Sequence, residues 1–478
     1  MNQSYKHLPK EERKKILLIC DDIRVHSGVA TVAKEIVIHT SHHFNWVQMA
    51  GAVTHPEKGK ILDISKEVNE LANIKDASVF LHPNDGYGTP DILRNLIEKE
   101  KPDAIMLFTD PRYFTWVFNM EHEIRRKIPI TYLNIWDSVP APMYNRAYYE
   151  SCDLLMGISK QTVNINKMVL GDKGKNKIFK YIPHGLNKDI YKPIQVHSNE
   201  FVKFKQQIFN NEDIDFVLFF NSRNIRRKQI PDTMLAFKTF LDSIPEDEAK
   251  RCKLILHTEM VSDHGTDLEE VYNFIFGEKY PNNVKFSLQK LKQDQLNFLY
   301  NIADAQILIT SNEGWGLTLT EALLTGTPII ANVTGGMQDQ MRFVDENKEW
   351  FTPSKETPSN SVGRYKEHGE WVFPVYPTSR SLQGSPNTPY IFDDRCKWED
   401  VAEQIKNVYN LSKEERKRRG EEGRKWATSK EAGFTSEYQA NRVIEAFNEL
   451  FETWKPREKY ELVNANEYKG KFLNHNLN

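Results

Sequence analysis

The chain has 478 residues, 39% of them hydrophobic and 27% charged, and its 64 basic and 66 acidic residues leave a formal net charge of −2. This length exceeds one ordinary core and favours two or three domains, while the balanced charge excludes a whole-chain field that would drive the protein to nucleic acid or anionic lipid. Cys20, Cys152, Cys252 and Cys396 lie far apart without a Cys-x-x-Cys pair, which argues against a zinc site or a disulfide framework and for a reducing, cytoplasmic setting. The first apolar run, Ile16 to Cys20, is too short for a signal core, and no later run is long enough for a transmembrane segment.

Short apolar runs alternate with helical patterns twice over. The first series is KILLIC from Lys15, NWVQMAG from Asn45, AIMLFTD from Ala104, PITYLNIWD from Pro129, LLMGIS from Leu154 and KIFKYIPHG from Lys177. The second is DFVLFFNSR from Asp215, KLILHTE from Lys253, NVKFSLQ from Asn283, QILITSNEG from Gln306 and PIIANV from Pro328. Buried strands separated by helices predict parallel sheets covered on both faces, so the expected class is α/β, with two Rossmann-like doubly wound domains. Ligands of such sheets sit outside the carboxyl ends of the strands, here in a cleft between the domains. The expected division is 1–195 for the first domain and 196–435 for the second, with 187–215 as the linker. Residues 342–394 show neither helix nor strand periodicity. This Pro- and aromatic-rich stretch is expected to be an irregular, ordered insertion that contacts acceptor or donor, or that forms a miniature core of its own.

The polar motifs follow strands. After the first, Ser27 and Gly28 precede a helix, where a small residue admits backbone to a ligand and the helix N-terminus favours anions. TDPRYFTW from Thr109 brings Asp110 and Arg112 to another strand end, and NIWD brings Trp136 and Asp137. Trp136 is either a stacking surface for a sugar or an ordinary core aromatic. In the second domain Arg223 and Lys228 are placed to converge on a diphosphate, the first as a fork and the second as a point charge. The run SNEGWGLTLTEALLTGTPII from Ser311 is the most informative. Gly314, Trp315 and Gly316 turn the chain into a helix beginning near Leu317 and Thr318, whose unpaired N–H groups suit a phosphate or a sugar oxygen. Glu313 on the turn and Glu321 on the helix offer acceptors to sugar or ribose hydroxyls.

This run resembles the Glu-x7-Glu motif of the large retaining, family 4-like group of nucleotide-sugar glycosyltransferases, which includes sucrose synthase and has the GT-B fold. Arg223 and Lys228 match its Arg-x4-Lys pair, and Ser27-Gly28 its glycine loop, with serine for the first glycine. The segment around Lys290 and Leu291 resembles its donor-base loop. His184 stands where the group has Asn, and Asp339, after Gly335 and Gly336, where it often has Glu. The main departure is Trp136-Asp137, where many members carry His-Asp; tryptophan cannot exchange a proton, which removes a His-based role. The resemblance implies transfer of a sugar from a UDP-, GDP- or other nucleoside diphosphate sugar, with retention of configuration. No cofactor or metal is expected, because Asp213-Ile-Asp215 precedes its strand and reads as surface carboxylates.

The expected catalytic residues are Arg223, Lys228, Glu313 and Asp137. The expected donor-binding residues are Gly28, Lys290, Leu291, Gly314, Trp315, Gly316, Leu317, Thr318 and Glu321, and Asp110, Arg112 and Trp136 are expected on the acceptor side. In this group the last helix, here 436–478, returns to the first domain. The acceptor is a glycan, a lipid-linked sugar or another small hydroxyl compound. The combination of TDPRYFTW, NIWDSVPAPMYN and the long insertion also looks like tailed-phage glycosyltransferases, so one alternative is transfer to a hydroxymethylated base of modified DNA; the missing His suggests another, non-catalytic sugar-nucleotide binding.

Overall fold

The computed structural model describes residues 5–195, 198–210, 212–360 and 364–458. The expected domain boundary at 196, Gly363 of the insertion and the tail from 459 to 478 lie outside the described residues.

The first sheet comprises β1 Lys14–Asp21, β2 Phe44–Ala52, β3 Leu62–Asp63, β4 Val79–Asp85, β5 Ala104–Phe108, β6 Ile130–Asn134, β7 Leu154–Gly157 and β8 Ile178–Tyr181. Its order is β3-β4-β2-β1-β5-β6-β7-β8, parallel throughout except for the edge strand β3. The second sheet comprises β9 Phe216–Asn221, β10 Cys252–His257, β11 Val284–Ser287, β12 Ala305–Leu308, β13 Ile329–Asn332 and β14 Val372–Val375, ordered β11-β10-β9-β12-β13-β14 and parallel. The chain reverses its direction of travel across each sheet between its first and fourth principal strands, which puts the crevices at β1/β5 and β9/β12.

The continuous apolar runs follow from burial on both faces. Along β1, Ile16, Leu18 and Cys20 enter the larger core, while Leu17 and Ile19 enter a second cluster on the opposite face. Alternate side chains of a strand point to opposite sides, so a strand covered twice has no polar face.

The C-terminal helix Ser436–Thr453 buries Val443, Ile444, Phe447 and Leu450. It packs on the first-domain helix Gly28–Thr40, where Ser436 donates to Glu35 at 2.5 Å, and on the start of β2, where Phe447 meets Phe44 edge-on at 5.6 Å. The helix ends at Thr453 rather than running to 478, because Trp454 is extended and Pro456 follows. Among the described residues no helix is long and apolar enough to cross a membrane.

Two further expectations are corrected. The linker 187–215 contains the helix Asn199–Phe209, whose Phe201 and Phe204 pack on Phe298 of the second domain. The insertion 342–394 is not irregular throughout: it supplies β14 and an antiparallel hairpin, β15 Ser379–Ser385 and β16 Thr388–Arg395. Its rings also pack, with Trp371 stacked on Trp426 at 5.0 Å and Phe351 against Tyr365 at 4.2 Å.

Candidate functional site

β12 ends at the β9/β12 crevice and releases the loop that carries Glu313. That carboxylate is paired with the Lys228 ammonium and with Arg227 Nη1 at 2.7 Å. Both cations come from the short 3-10 turn Arg226–Lys228 after β9, and the backbone of that turn is tied to the same loop, Ser311 N donating to Arg227 O at 2.9 Å. Burial pushes Glu313 upward, but Arg227 and Lys228 outweigh it and hold the carboxyl at about 2. Burial also pushes Lys228 down, with lesser repulsion from Arg227 and Arg223, and leaves it at about 8 against the pull of Glu313. A desolvated carboxylate and two cations at a strand end therefore share one small region.

The first domain closes on this loop. A Cβ on Gly314 would lie 2.6 Å from the Ile135 carbonyl oxygen, and one on Gly335 would lie 2.9 Å from that of Asp137 and overlap that of Glu313. Gly336 N donates to Glu313 O at 3.0 Å. Glycine is required here because backbones of both domains meet at van der Waals distance, and Gly335 also has φ +53. Asp137 thereby faces the Glu313 cluster. Burial raises its carboxyl to about 6, Glu313 adding to the rise and Arg227 opposing it.

Two helix N-termini meet at the same place. Ser27 caps the helix Gly28–Thr40, accepting from Ala30 N at 3.0 Å, and donates to Asp21. A Cβ on Gly28 would lie 3.4 Å from Leu317 Cδ1, the first residue of the helix Leu317–Thr325. That helix has no side-chain cap, its preceding Gly316 is left-handed, and the Thr318 hydroxyl is buried without a partner. Paired positive helix ends beside two cations form a setting for an anion.

Other expected residues are placed differently. Glu321 is buried and already accepts from the Tyr300 hydroxyl, from Tyr191 at 3.2 Å and from Asn221 at 3.4 Å; burial raises its pKa. The Trp315 indole turns inward, donating to Thr320 at 2.9 Å and packing on Phe434 at 4.9 Å, so only its backbone is available to the cleft. Trp136 is a core aromatic and not an open stacking surface: it is buried and spends its N–H on Ser138 O at 3.0 Å. His184 lies buried between Phe108 and Trp315, where burial lowers its pKa to about 3. Arg223 is exposed, as is Lys290, whereas Leu291 is partly buried. Arg112 pairs with Asp110, at 2.8 Å through Nε, and donates to Thr388 of the hairpin at 2.8 Å. Asp215 pairs with Arg251 at 2.5 Å. Among the described residues no group of three His, Cys, Asp or Glu side chains is placed to hold a metal ion.

Sequence reading gave Arg227 no role beyond a basic turn, and it missed the hairpin and the Tyr191 and Tyr300 contacts to Glu321. The basic run Arg226-Arg227-Lys228 was the only signal for the first, and it does not say which cation points inward.

Residues 201–357 match the family described as glycosyl transferases group 1. A stretch of 121 residues, 25% of this chain, is 26% identical to an uncharacterized glycosyltransferase of Methanocaldococcus jannaschii, and covers 29% of that relative. Over 92% of its length the chain superposes on the whole of sucrose-phosphate synthase from Thermosynechococcus elongatus, with TM-score 0.65 and 15% identity. It superposes to the same extent on HepE of Anabaena in complex with UDP and glucose, with TM-score 0.63 and 15% identity. The fold is that of the GT-B glycosyltransferases, two Rossmann-like domains facing across a cleft.

Proposed function

We propose that this chain is a glycosyltransferase of the family 4 type, moving a hexosyl or pentosyl group from a nucleoside diphosphate sugar to an acceptor hydroxyl with retention of configuration. The observation that carries the reading is the Glu313–Arg227–Lys228 cluster at the mouth of the helix Leu317–Thr325, closed over by Asp137. HepE of Anabaena, of the same fold, is described in complex with UDP and glucose. In this reading the diphosphate lies against Lys228, Arg223, Arg227 and the two helix N-termini, with Gly28, Gly314, Gly316, Leu317 and Thr318 admitting it closely. Glu313 orients the cations and accepts from sugar hydroxyls, Glu321 takes a ribose hydroxyl in exchange for a tyrosine, and the base lies toward Lys290 and Leu291.

The bond from the anomeric carbon to the diphosphate oxygen breaks, its electron pair leaving with the diphosphate, where the cations stabilise it. The bond to the acceptor oxygen forms on the same face, and the acceptor proton passes to the departing diphosphate or to Asp137. The reaction proceeds with no metal or cofactor, in the cytoplasm. A thermal-shift screen with UDP-glucose, UDP-galactose, GDP-mannose and ADP-glucose tests this reading. One donor at about 100 times its Kd stabilises the fold by about 2.7 kcal/mol, and Lys228→Ala removes that shift. No shift with any donor overturns the reading.

A further inference from the structure

We propose that the hairpin β15–β16 of the second domain and the loops after β5 and β6 of the first enclose an acceptor subsite for an uncharged saccharide. This rests on the transferase reading above, and it gives acceptor selection to a segment of the donor-side domain.

The hairpin is wired to the reaction centre at its base. Asp394 is fully buried and accepts from Thr334 and Ser359, both at 2.7 Å, while pairing with Arg380 at 3.0 Å. Its N–H donates to Ser311 O at 2.9 Å, and the neighbouring Asp393 accepts from Asn312 at 2.7 Å. The loop held at both points is the one that presents Glu313. Toward its turn the hairpin crosses to the first domain: the Tyr144 hydroxyl donates to Tyr390 O at 2.9 Å, the Tyr390 hydroxyl to Ala141 O at 3.2 Å, and Arg112 to Thr388. A two-stranded hairpin is marginal alone, so these two anchorages keep it in place.

Between the hairpin turn and the first domain is a cavity of about 520 Å³, whose lining includes Arg112, Tyr113, Tyr144, Tyr148, Asn387 and Pro389. This volume falls within the range of small-molecule sites, about 300–1,000 Å³. Its chemistry is that of a neutral, hydroxyl-rich ligand. Tyr113 leaves 57% of its surface open, a ring face for the C–H side of a sugar. The tyrosine hydroxyls and the Asn387 amide both donate and accept. Asp110 offsets the Arg112 charge, which leaves neither the cation that a phosphorylated acceptor needs nor the basic stripe that DNA needs. Tyr144 of the lining packs edge-on against Trp136 at 5.8 Å, and Trp136 precedes Asp137, so one wall of the cavity is built on the segment that carries Asp137.

Saturation-transfer NMR on the full chain tests the subsite without any donor. The probes are glucose, galactose, mannose, maltose, cellobiose and lactose, against glucose 6-phosphate and a duplex carrying 5-hydroxymethylcytosine. The expected result is that at least one neutral sugar binds, tighter than either charged probe, and that Tyr113→Ala and Asn387→Ala each weaken it at least tenfold. Both positions are exposed, so the variants fold, which a wild-type thermal shift with UDP verifies. The subsite is overturned if no neutral sugar binds, if a charged probe binds more tightly, or if both variants bind as wild type does. Failure of the donor screen removes the transferase reading and leaves this binding result standing separately.

Discussion

Three cations follow one another at 226–228, and two of them reach Glu313. A 3-10 turn has three residues per turn, so adjacent side chains fan out by about 120° and cannot all face one carboxylate. Arg226 takes the solvent side and is exposed. Arg227→Ala is therefore expected to lower kcat/KM about 10²-fold, the loss of about 2.7 kcal/mol seen when a preorganised charge partner is removed. Arg226→Ala should remain within about twofold, and steady-state kinetics on the pair checks the assignment. The same cluster sets the pH dependence. The Asp137 carboxyl, raised from 3.8 to about 6, is protonated at pH 5 and ionised at pH 7, so the rate falls as pH drops through about 6. Lys228, lowered from 10.5 to about 8, loses its charge as pH rises through about 8. A bell with limbs near these values in the kcat/KM profile is expected, and Lys228→Arg should remove the alkaline limb because a guanidinium does not deprotonate there.

At the scale of elements, the strands that sequence reading recognised are the apolar runs; of the five it missed, β3 has only 2 residues, β15 is polar and mostly exposed, and the other three contain proline. β4 carries Pro83, β14 Pro374 and β16 Pro389. Proline removes a ladder donor and argues against a central strand. The sheet accommodates Pro83 because β3 pairs with β4 only at Phe80 and Leu81, and Pro374 because β14 is an edge strand. The glycine pair after β13 was visible in the sequence, but what it packs against was not. A Cβ on Gly336 would overlap the Gly314 carbonyl oxygen and lie 2.9 Å from Ser159 Cβ. Gly336→Ala must therefore displace the Glu313 loop, at a cost of about 1–3 kcal/mol. The expected outcome is a lower melting temperature together with weaker UDP-sugar binding, measured by calorimetry. An unchanged melting temperature would show that the loop yields freely.

At the scale of the molecule, a series of polar contacts joins the domains, and Asp339 makes one of them. It accepts from the N–H of Lys160, the first residue of the helix Lys160–Leu170, at 2.9 Å, while the Lys160 ammonium lies 3.6 Å from the centre of the Trp350 ring. Burial raises the Asp339 carboxyl from 3.8 to about 6, against the pull of Lys160. A folded-state pKa above the unfolded one stabilises below the unfolded value and is lost as pH rises through the folded one. Asp339→Asn keeps a carbonyl acceptor for Lys160 and has no charge to desolvate. It should match wild type near pH 4 and be more stable by up to ~3 kcal/mol at pH 7.5, a difference read from thermal melts across that range. Equal melting at pH 7.5 would exclude a buried, ionised Asp339. What the sequence determined by itself was local or periodic: two series of buried strands, glycine turns at their ends, and a Glu-x7-Glu helix start that resembles a known group. The tertiary structure alone decided which cation meets Glu313, that Tyr191 and Tyr300 already occupy Glu321, how far burial lifts Asp137, and that a hairpin from one domain docks on the other. Periodicity is set by neighbours along the chain, whereas pairing and desolvation depend on what the fold packs alongside from distant parts of the sequence.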